Sequence, residues 1–259
     1  MDKKNLIYNS NRPLSKRGFL FQFLNSAKLL LAAIFLHPFK ILAGTSTLNL
    51  SGTSSGFSST TIILLRGNGS LVDSSSNNFP ITNNGISINS STYKYGSGSL
   101  SLASTYCSFP TNAKFNFGGA VTIEFWYHPN GYTGRGYVCD FSTMNSFPII
   151  LSPNSGGFSI EWYANESGWQ INTSVSVSSA LSTWTHFAFV KNGSTCMAFV
   201  NGSSIAVAKN FNASGYNFSS SNFQLGLGDS AYRVSGLIDD FCVSSIAKYT
   251  GNFSPPGAL

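Results

Sequence analysis

The chain has 259 residues but only nine Asp and Glu, so any acid chemistry must come from very few side chains. Retaining glycoside hydrolysis needs two carboxylates about 5 to 5.5 Å apart, one as nucleophile and one as acid/base. On a strand this requires even spacing, because successive side chains alternate between faces. Glu161 and Glu166 are five residues apart, and no E-x-D-x-E or E-x-x-x-E run occurs. Catalysis by paired carboxylates is therefore not expected. His37, His128 and His186 show no H-x-x-x-H spacing, and His186 alternates with apolar neighbours as an interior or interfacial histidine would. Cys107, Cys139, Cys196 and Cys242 lack C-x-x-C spacing, which leaves zinc and thioredoxin-like chemistry without support. As strand residues they read as small buried hydrophobes, with one or two disulfides the alternative in an exported chain. No G-x-G-x-x-G or G-x-x-x-x-G-K phosphate loop is present.

Sugar recognition asks for different residues: exposed rings for the apolar sugar faces, with amides, hydroxyls or charges fixed beside them for the hydroxyls. Tyr132, Arg135 and Tyr137 lie in the Gly-rich run N-G-Y-T-G-R-G-Y, expected to be an exposed loop. Trp162, Tyr163 and Trp169 flank a second turn, A-N-E-S. Since Trp162 and Tyr163 straddle a strand, alternation sends one of them into the core.

The elements that must carry these loops are strands. Charged residues make up 9% of the chain, against roughly 25% in ordinary globular proteins, while Ser reaches 44 and Asn 25. Such a composition excludes Ala/Glu/Lys/Leu helical bundles and disfavours a charge-rich nucleotide enzyme. Val121–His128 alternates, with Val121, Ile123, Phe125 and Tyr127 on one face and Glu124 and Trp126 on the other. Between Thr183 and Ala208, Asn192-Gly193 and Asn201-Gly202 separate three apolar runs, the pattern of a three-stranded meander. About a dozen strands at sandwich-like spacing account for residues 60–259, and no long helix is expected there.

The formal charge of +6 is not spread over the chain. Residues 45–259 hold eight bases and eight acids, whereas residues 1–44 hold seven bases against Asp2 alone. A nucleic-acid partner is accordingly not expected. Positions 19–36 suit an apolar helix, which Pro38 should end or kink. Three roles fit residues 1–44: a helix docking on other subunits of an assembly, a membrane anchor with Lys28 costly at its midpoint, or a long signal peptide. Residues 45–59, rich in Ser, Thr and Gly, read as a linker.

A family resemblance covers nearly all of residues 60–257. Leu71-Val72-Asp73-Ser74-Ser75-Ser76-Asn77-Asn78 resembles the D-S-S-G-N-N turn that opens laminin-G-like, concanavalin A-like jelly rolls. Tyr95 to Leu100 is similar to their F-G-x-x-S-L run, Thr122 to Trp126 to T-I-E-F-W, Trp184 to Ala188 to W-x-H-V-A, and Phe199 to Gly202 to Y-V-N-G. Gly236 to Phe241 with Tyr249 to Pro256 resembles the closing G-x-I-D-D and Y-T-x-N-F-x-P-P, in a variant common in bacteriophage and other viral structural proteins. The resemblance implies an all-β, antiparallel concanavalin A-like sandwich with an apolar N-terminal extension. It makes Glu124 a structural hydrogen-bonding partner and implies calcium at a rim, with Asp140 and Asp229 as candidate ligands.

Together these features predict a non-enzymatic virion structural or attachment protein. It would be oligomeric, docked through residues 1–44, with a jelly roll that binds neighbouring subunits or surface glycans. The alternatives are a membrane-anchored or exported lectin or adhesin at a cell surface, with membrane contact through 19–36, and, less favoured, a concanavalin A-like glycoside hydrolase. Fold alone does not choose among them.

Overall fold

Strand alternation sorts the side chains of this chain into an apolar interior and two outer faces. The computed structural model describes residues 59–132, 134–141, 148–164, 168–178, 180–208, 217–226 and 234–259. Residues 1–58, with the apolar segment 19–36 and nearly all of the linker, lie outside the described residues. The strands in chain order are β1 (Thr61–Leu65), β2 (Thr82–Asn84), β3 (Ser87–Asn89), β4 (Ser99–Ala103), β5 (Tyr106–Phe109), β6 (Ala120–Pro129), β7 (Gly136–Phe141) and β8 (Ile149–Asn154). They continue with β9 (Gly157–Ala164), β10 (Gly168–Ser176), β11 (Thr185–Asn192), β12 (Thr195–Val200), β13 (Ser203–Ala208), β14 (Phe223–Leu225) and β15 (Ser235–Ser244). Helix among the described residues is limited to single 3-10 turns at Ala113–Phe115 and Ala180–Ser182.

Two antiparallel sheets result. One has the order β13-β12-β11-β6-β15-β4-β3, with β1 paired to the far half of β15; the other has the order β10-β9-β8-β7-β14-β5-β2. Val121, Ile123, Phe125 and Tyr127 of β6 are all fully buried between the sheets, as their alternation predicts. Phe125 stacks against Phe187, Phe189 and Phe241, and Phe141 packs against Phe117, Phe218 and Phe223. Rings of this size bury the most apolar area per residue, which suits a chain with few charges.

The turn chemistry is as direct. Asn201 and Gly202 both have positive φ, 48° and 77°, and form a two-residue loop between β12 and β13. Glycine is required there for a second reason: a Cβ on Gly202 would lie 1.9 Å from the Phe253 carbonyl oxygen. At the β11–β12 turn the expected Asn192-Gly193 loop is displaced by one residue, with Asn192 ending the strand and Gly193 alone at positive φ.

The motifs that carry the family resemblance are fasteners. Asp73 Oδ1 accepts from the amides of Leu64 and Ser75, and Oδ2 accepts from Ser75 Oγ and the Phe79 amide, all at 2.9–3.0 Å. Asp239 Oδ2 accepts from the amides of Lys94 and Tyr95, and Asp240 Oδ2 from the amide of Leu259. Each bond closes a loop that the sheets leave open.

All four cysteines are buried, and none is in a disulfide. Cys107 and Cys139 both lie opposite Leu225, on either side of β14, so a whole strand separates them. Burial pushes the thiols of Cys107 and Cys242 up to about 12 and about 11, and Cys139 also well above the ordinary range. The native chain should therefore leave a thiol reagent such as DTNB unreacted at pH 8, and release four thiols in guanidinium. Rapid stoichiometric reaction without denaturant would contradict this packing.

Asp240 makes a second prediction. Burial, reinforced by the nearby Asp239 and Glu124 charges and opposed by the Leu259 amide and Arg66, raises its carboxyl to about 6. A folded value above the unfolded 3.8 means the ionised carboxylate costs stability above pH 6, a cost that disappears as pH falls to 3.8. Asp240 also has φ 46°, a conformation asparagine tolerates. Asp240→Asn should thus stabilise by on the order of 2 kcal/mol at pH 7 and by almost nothing at pH 3.5, read from urea melts. An equal gain at both pH values would refute the assignment.

Candidate functional site

Each sheet turns one face away from the core, and the two faces differ. On the eight-stranded sheet, Glu124 projects outward from β6 and is fully buried by residues 245–259. Lys248 Nζ contacts its Oε1, the Tyr249 hydroxyl donates to Oε2 at 2.6 Å, and His186 Nε2 lies 3.5 Å from Oε2. Burial opposes ionisation of Glu124, but His186, Lys248 and Tyr249 together outweigh it and hold the carboxyl below its ordinary value. Around this centre Phe253 stacks on Tyr249 and packs edge-on against Phe199 and His186. Trp126 meets His186 and carries the Lys94 ammonium 4.1 Å from its ring centre. With three partners and no exposure, Glu124 is a clasp for the C-terminal segment, as the family resemblance implies.

On the seven-stranded sheet the outward residues are mostly neutral and polar. Tyr137, Ile150, Glu161 and Asn172 form one cross-strand row, and Ser152, Ser159 and Ser174 the next. Cross-strand partners share a face, so β9 presents Ser159, Glu161 and Tyr163 outward and sends Phe158, Ile160 and Trp162 into the core. Arg135, just before β7, reaches across two strand spacings, roughly 9 to 10 Å. Its Nη2 lies 2.5 Å from Glu161 Oε2, with side chains 37% and 16% exposed. This pair brings together the two segments singled out for sugar recognition.

The individual expectations fare differently. Tyr132, in the β6–β7 connection, is 61% exposed and can offer a ring face. Arg135 is held as described. Tyr137 is on the outward face but nearly buried, which does not leave its ring open as a platform. Trp162 is fully buried against Phe189 in the core, which corrects the expectation of an exposed stacking ring. Trp169 lies opposite Tyr163 in the backbone register of β10, and its side chain lies outside the described residues. Asp140 lies within β7 opposite Gln224 and is fully buried, not at a loop rim. Among the described residues no three His, Cys, Asp or Glu side chains converge. Asp229 lies outside the described residues. Glu161, weighed in the sequence only as half of a catalytic pair, emerges as the partner of Arg135. Alternation along F-S-I-E-W-Y already placed it with Ser159 and Tyr163, away from Trp162.

A concanavalin A-like fold is also what comparison with known proteins finds. The family profile of the concanavalin A-like lectin/glucanases superfamily, in its laminin G form, matches residues 101–248. The chain belongs to this superfamily. Solved structures similar to this laminin G-like chain include the binding domain of botulinum neurotoxin DC in complex with rat synaptotagmin II, at 19% identity and TM-score 0.58 over 73% of this chain and 49% of that one. Another is the same toxin's binding domain in complex with SialylT, at 18% identity and TM-score 0.55 over 74% and 49%. A third is a botulinum neurotoxin type C structure described through interaction with two ganglioside molecules, at 18% identity and TM-score 0.56 over 73% and 49%. This laminin G-like chain thus spans about half the length of these structures, and at such identity the likeness is one of fold. Comparison with curated protein sequences finds no match.

Proposed function

We propose that this chain is a non-enzymatic attachment protein that binds glycans on the outward face of its seven-stranded sheet. The observation that carries the reading is the Arg135–Glu161 pair, which joins the β6–β7 connection and β9 beside exposed hydroxyl and amide side chains. An exposed ring at Tyr132 and fixed polar groups at Arg135 and Glu161 supply the two kinds of contact a sugar needs. Support also comes from the fold neighbours, binding domains whose partners include SialylT and gangliosides. Five of the six acids among the described residues are held by the partners described above: Asp73, Glu124, Asp239 and Asp240 in fastening, and Glu161 with Arg135. That arrangement favours binding over hydrolysis.

We further propose a virion setting, with residues 1–44 docking on other subunits. Its supports are the viral character of the closing motif and a body of balanced charge, which suits crowded repetitive assembly. The test of attachment is a glycan array with the full chain, with and without chelator, alongside Tyr132→Ala and Arg135→Ala. Each variant should lose about tenfold or more in binding to the sugars retained by the parent, with unchanged melting curves. Binding untouched by both changes would move the site elsewhere. Fractionation tests the setting: co-purification with detergent-free particles supports docking, and release only by detergent overturns it in favour of a membrane-anchored lectin.

A further inference from the structure

We infer that Asn130 is a self-modification site, where the side-chain amide closes on the Gly131 nitrogen, loses ammonia and leaves aspartate or isoaspartate in the β6–β7 connection. The step needs only water. The Gly131 nitrogen bonds to Asn130 Cγ, the amide proton passes to the departing amino group, and ammonia leaves a five-membered imide. Water then adds to either imide carbonyl and reopens the ring, giving aspartate, or isoaspartate with the main chain lengthened through the side-chain carbon. The reaction asks for an exposed asparagine that can turn, a following residue without a side chain, and an amide nitrogen not held elsewhere.

The chain has five Asn-Gly pairs, at Asn68, Asn84, Asn130, Asn192 and Asn201, and the fold restrains four of them. Asn68 Oδ1 accepts from the Ser97 amide, and the Gly69 amide donates to the Gly67 carbonyl, both at 2.8 Å. Asn84 lies within β2 opposite Tyr106, and Gly85 is bridged to the same residue, so extended backbone holds the nitrogen away from the side chain. The Gly193 amide after Asn192 donates to the Gly119 carbonyl at 2.9 Å. Asn201 Oδ1 accepts from the His186 amide, and Gly202 is buried against Phe253. Asn130 differs in each respect. It follows the last residue of β6, is exposed, and makes no hydrogen bond among the described residues. Nothing lies within 4 Å of where a Cβ on Gly131 would stand.

Conversion adds a negative charge to the connection that carries the exposed Tyr132 and Arg135, the partner of Glu161. The covalent step stands by itself; only its effect on binding rests on the glycan reading. The test incubates the full chain at pH 8.5 and 37 °C and follows the gain of about one dalton by peptide mapping. Asn130 should convert about tenfold faster than each of the other four, and in guanidinium all five should convert at comparable rates, since the fold supplies the protection. Gly131→Ala has room for its methyl group, so it should keep the parent melting curve and slow Asn130 about tenfold by crowding the nitrogen. A native chain in which Asn130 stays intact, or in which any of the other four keeps pace with it, overturns the inference. On the glycan array Asn130→Asp should weaken the sugars held by the fresh parent about threefold or more. Conversion at Asn130 with no sugar held by the fresh parent overturns the glycan reading and leaves the modification standing.

Discussion

Trp162→Ala should lower the melting temperature by about 8 to 15 °C. Trp162 is fully buried on the inner side of β9, with its ring edge-on to Phe189 at 5.7 Å and with Ile149 and Ile171 as cross-strand neighbours. Truncating a buried aromatic ring to alanine costs about 3 to 5 kcal/mol, through lost transfer energy and the cavity left behind. In a β-domain of this size each kcal/mol corresponds to roughly 2 to 4 °C. Trp162→Phe, which fills most of the same space, should cost far less and leave glycan binding at the parent level. The measurement is a thermal melt of both variants. A Trp162→Ala protein that melts with the parent but fails to bind sugar would restore the ring as a surface platform.

Replacing Glu124 by Ala should destabilise by about 3 kcal/mol at pH 7, because it leaves a buried histidine, a tyrosine hydroxyl and an ammonium without their common acceptor. The pH dependence gives the sign. The folded carboxyl titrates below the unfolded value of 4.5, so its stabilisation is present above 4.5 and is lost as pH falls through the lowered folded value. The gap between parent and variant in urea melts should accordingly narrow from pH 7 toward acid. The variant should also loosen residues 248–253, since the Tyr249 and Lys248 contacts to Glu124 are gone, while the ring contacts, the Asn252 side-chain bond to the Ser204 amide, the Phe253 amide bond and the Thr122 contacts remain. Faster cleavage by trypsin after Lys248 reads this out. A gap that widens toward low pH would reverse the assigned role.

The Glu124 clasp explains why the fold was so legible. T-I-E-F-W, V-N-G, I-D-D and Y-T-G-N-F-S-P-P look like separate short motifs, yet the structure brings them together on or beside one outer face. Phe253 donates to the Gly202 carbonyl, Tyr249 to Glu124, and the Tyr95 hydroxyl to the Pro256 carbonyl. Few residue types can accept several amides or tolerate positive φ at such closures, so the sequence there has little freedom. Period-two alternation was equally informative where a strand has one wet face, as in β6 and β9. Short strands with no apolar alternation were not, and β2, with all three residues Thr82–Asn84 exposed, is visible only through its pairing with β5.

The proposed binding face was harder, because rings and acids there look the same whether buried or exposed. Sequence by itself determined the fold class, the inward row of β6 and the concentration of the basic charge in residues 1–44, which follow from local periodicity, turn geometry and charge counting, while the structural role of Glu124 came from the family resemblance. Only the tertiary structure decided that Trp162 belongs to the core and that Asp140 lies beneath the surface instead of at a rim. It also joined Arg135 to Glu161 across two strands. The physical reason is that these facts depend on which strands are neighbours, and β7, β8 and β9 acquire a common face only when the sheet is assembled.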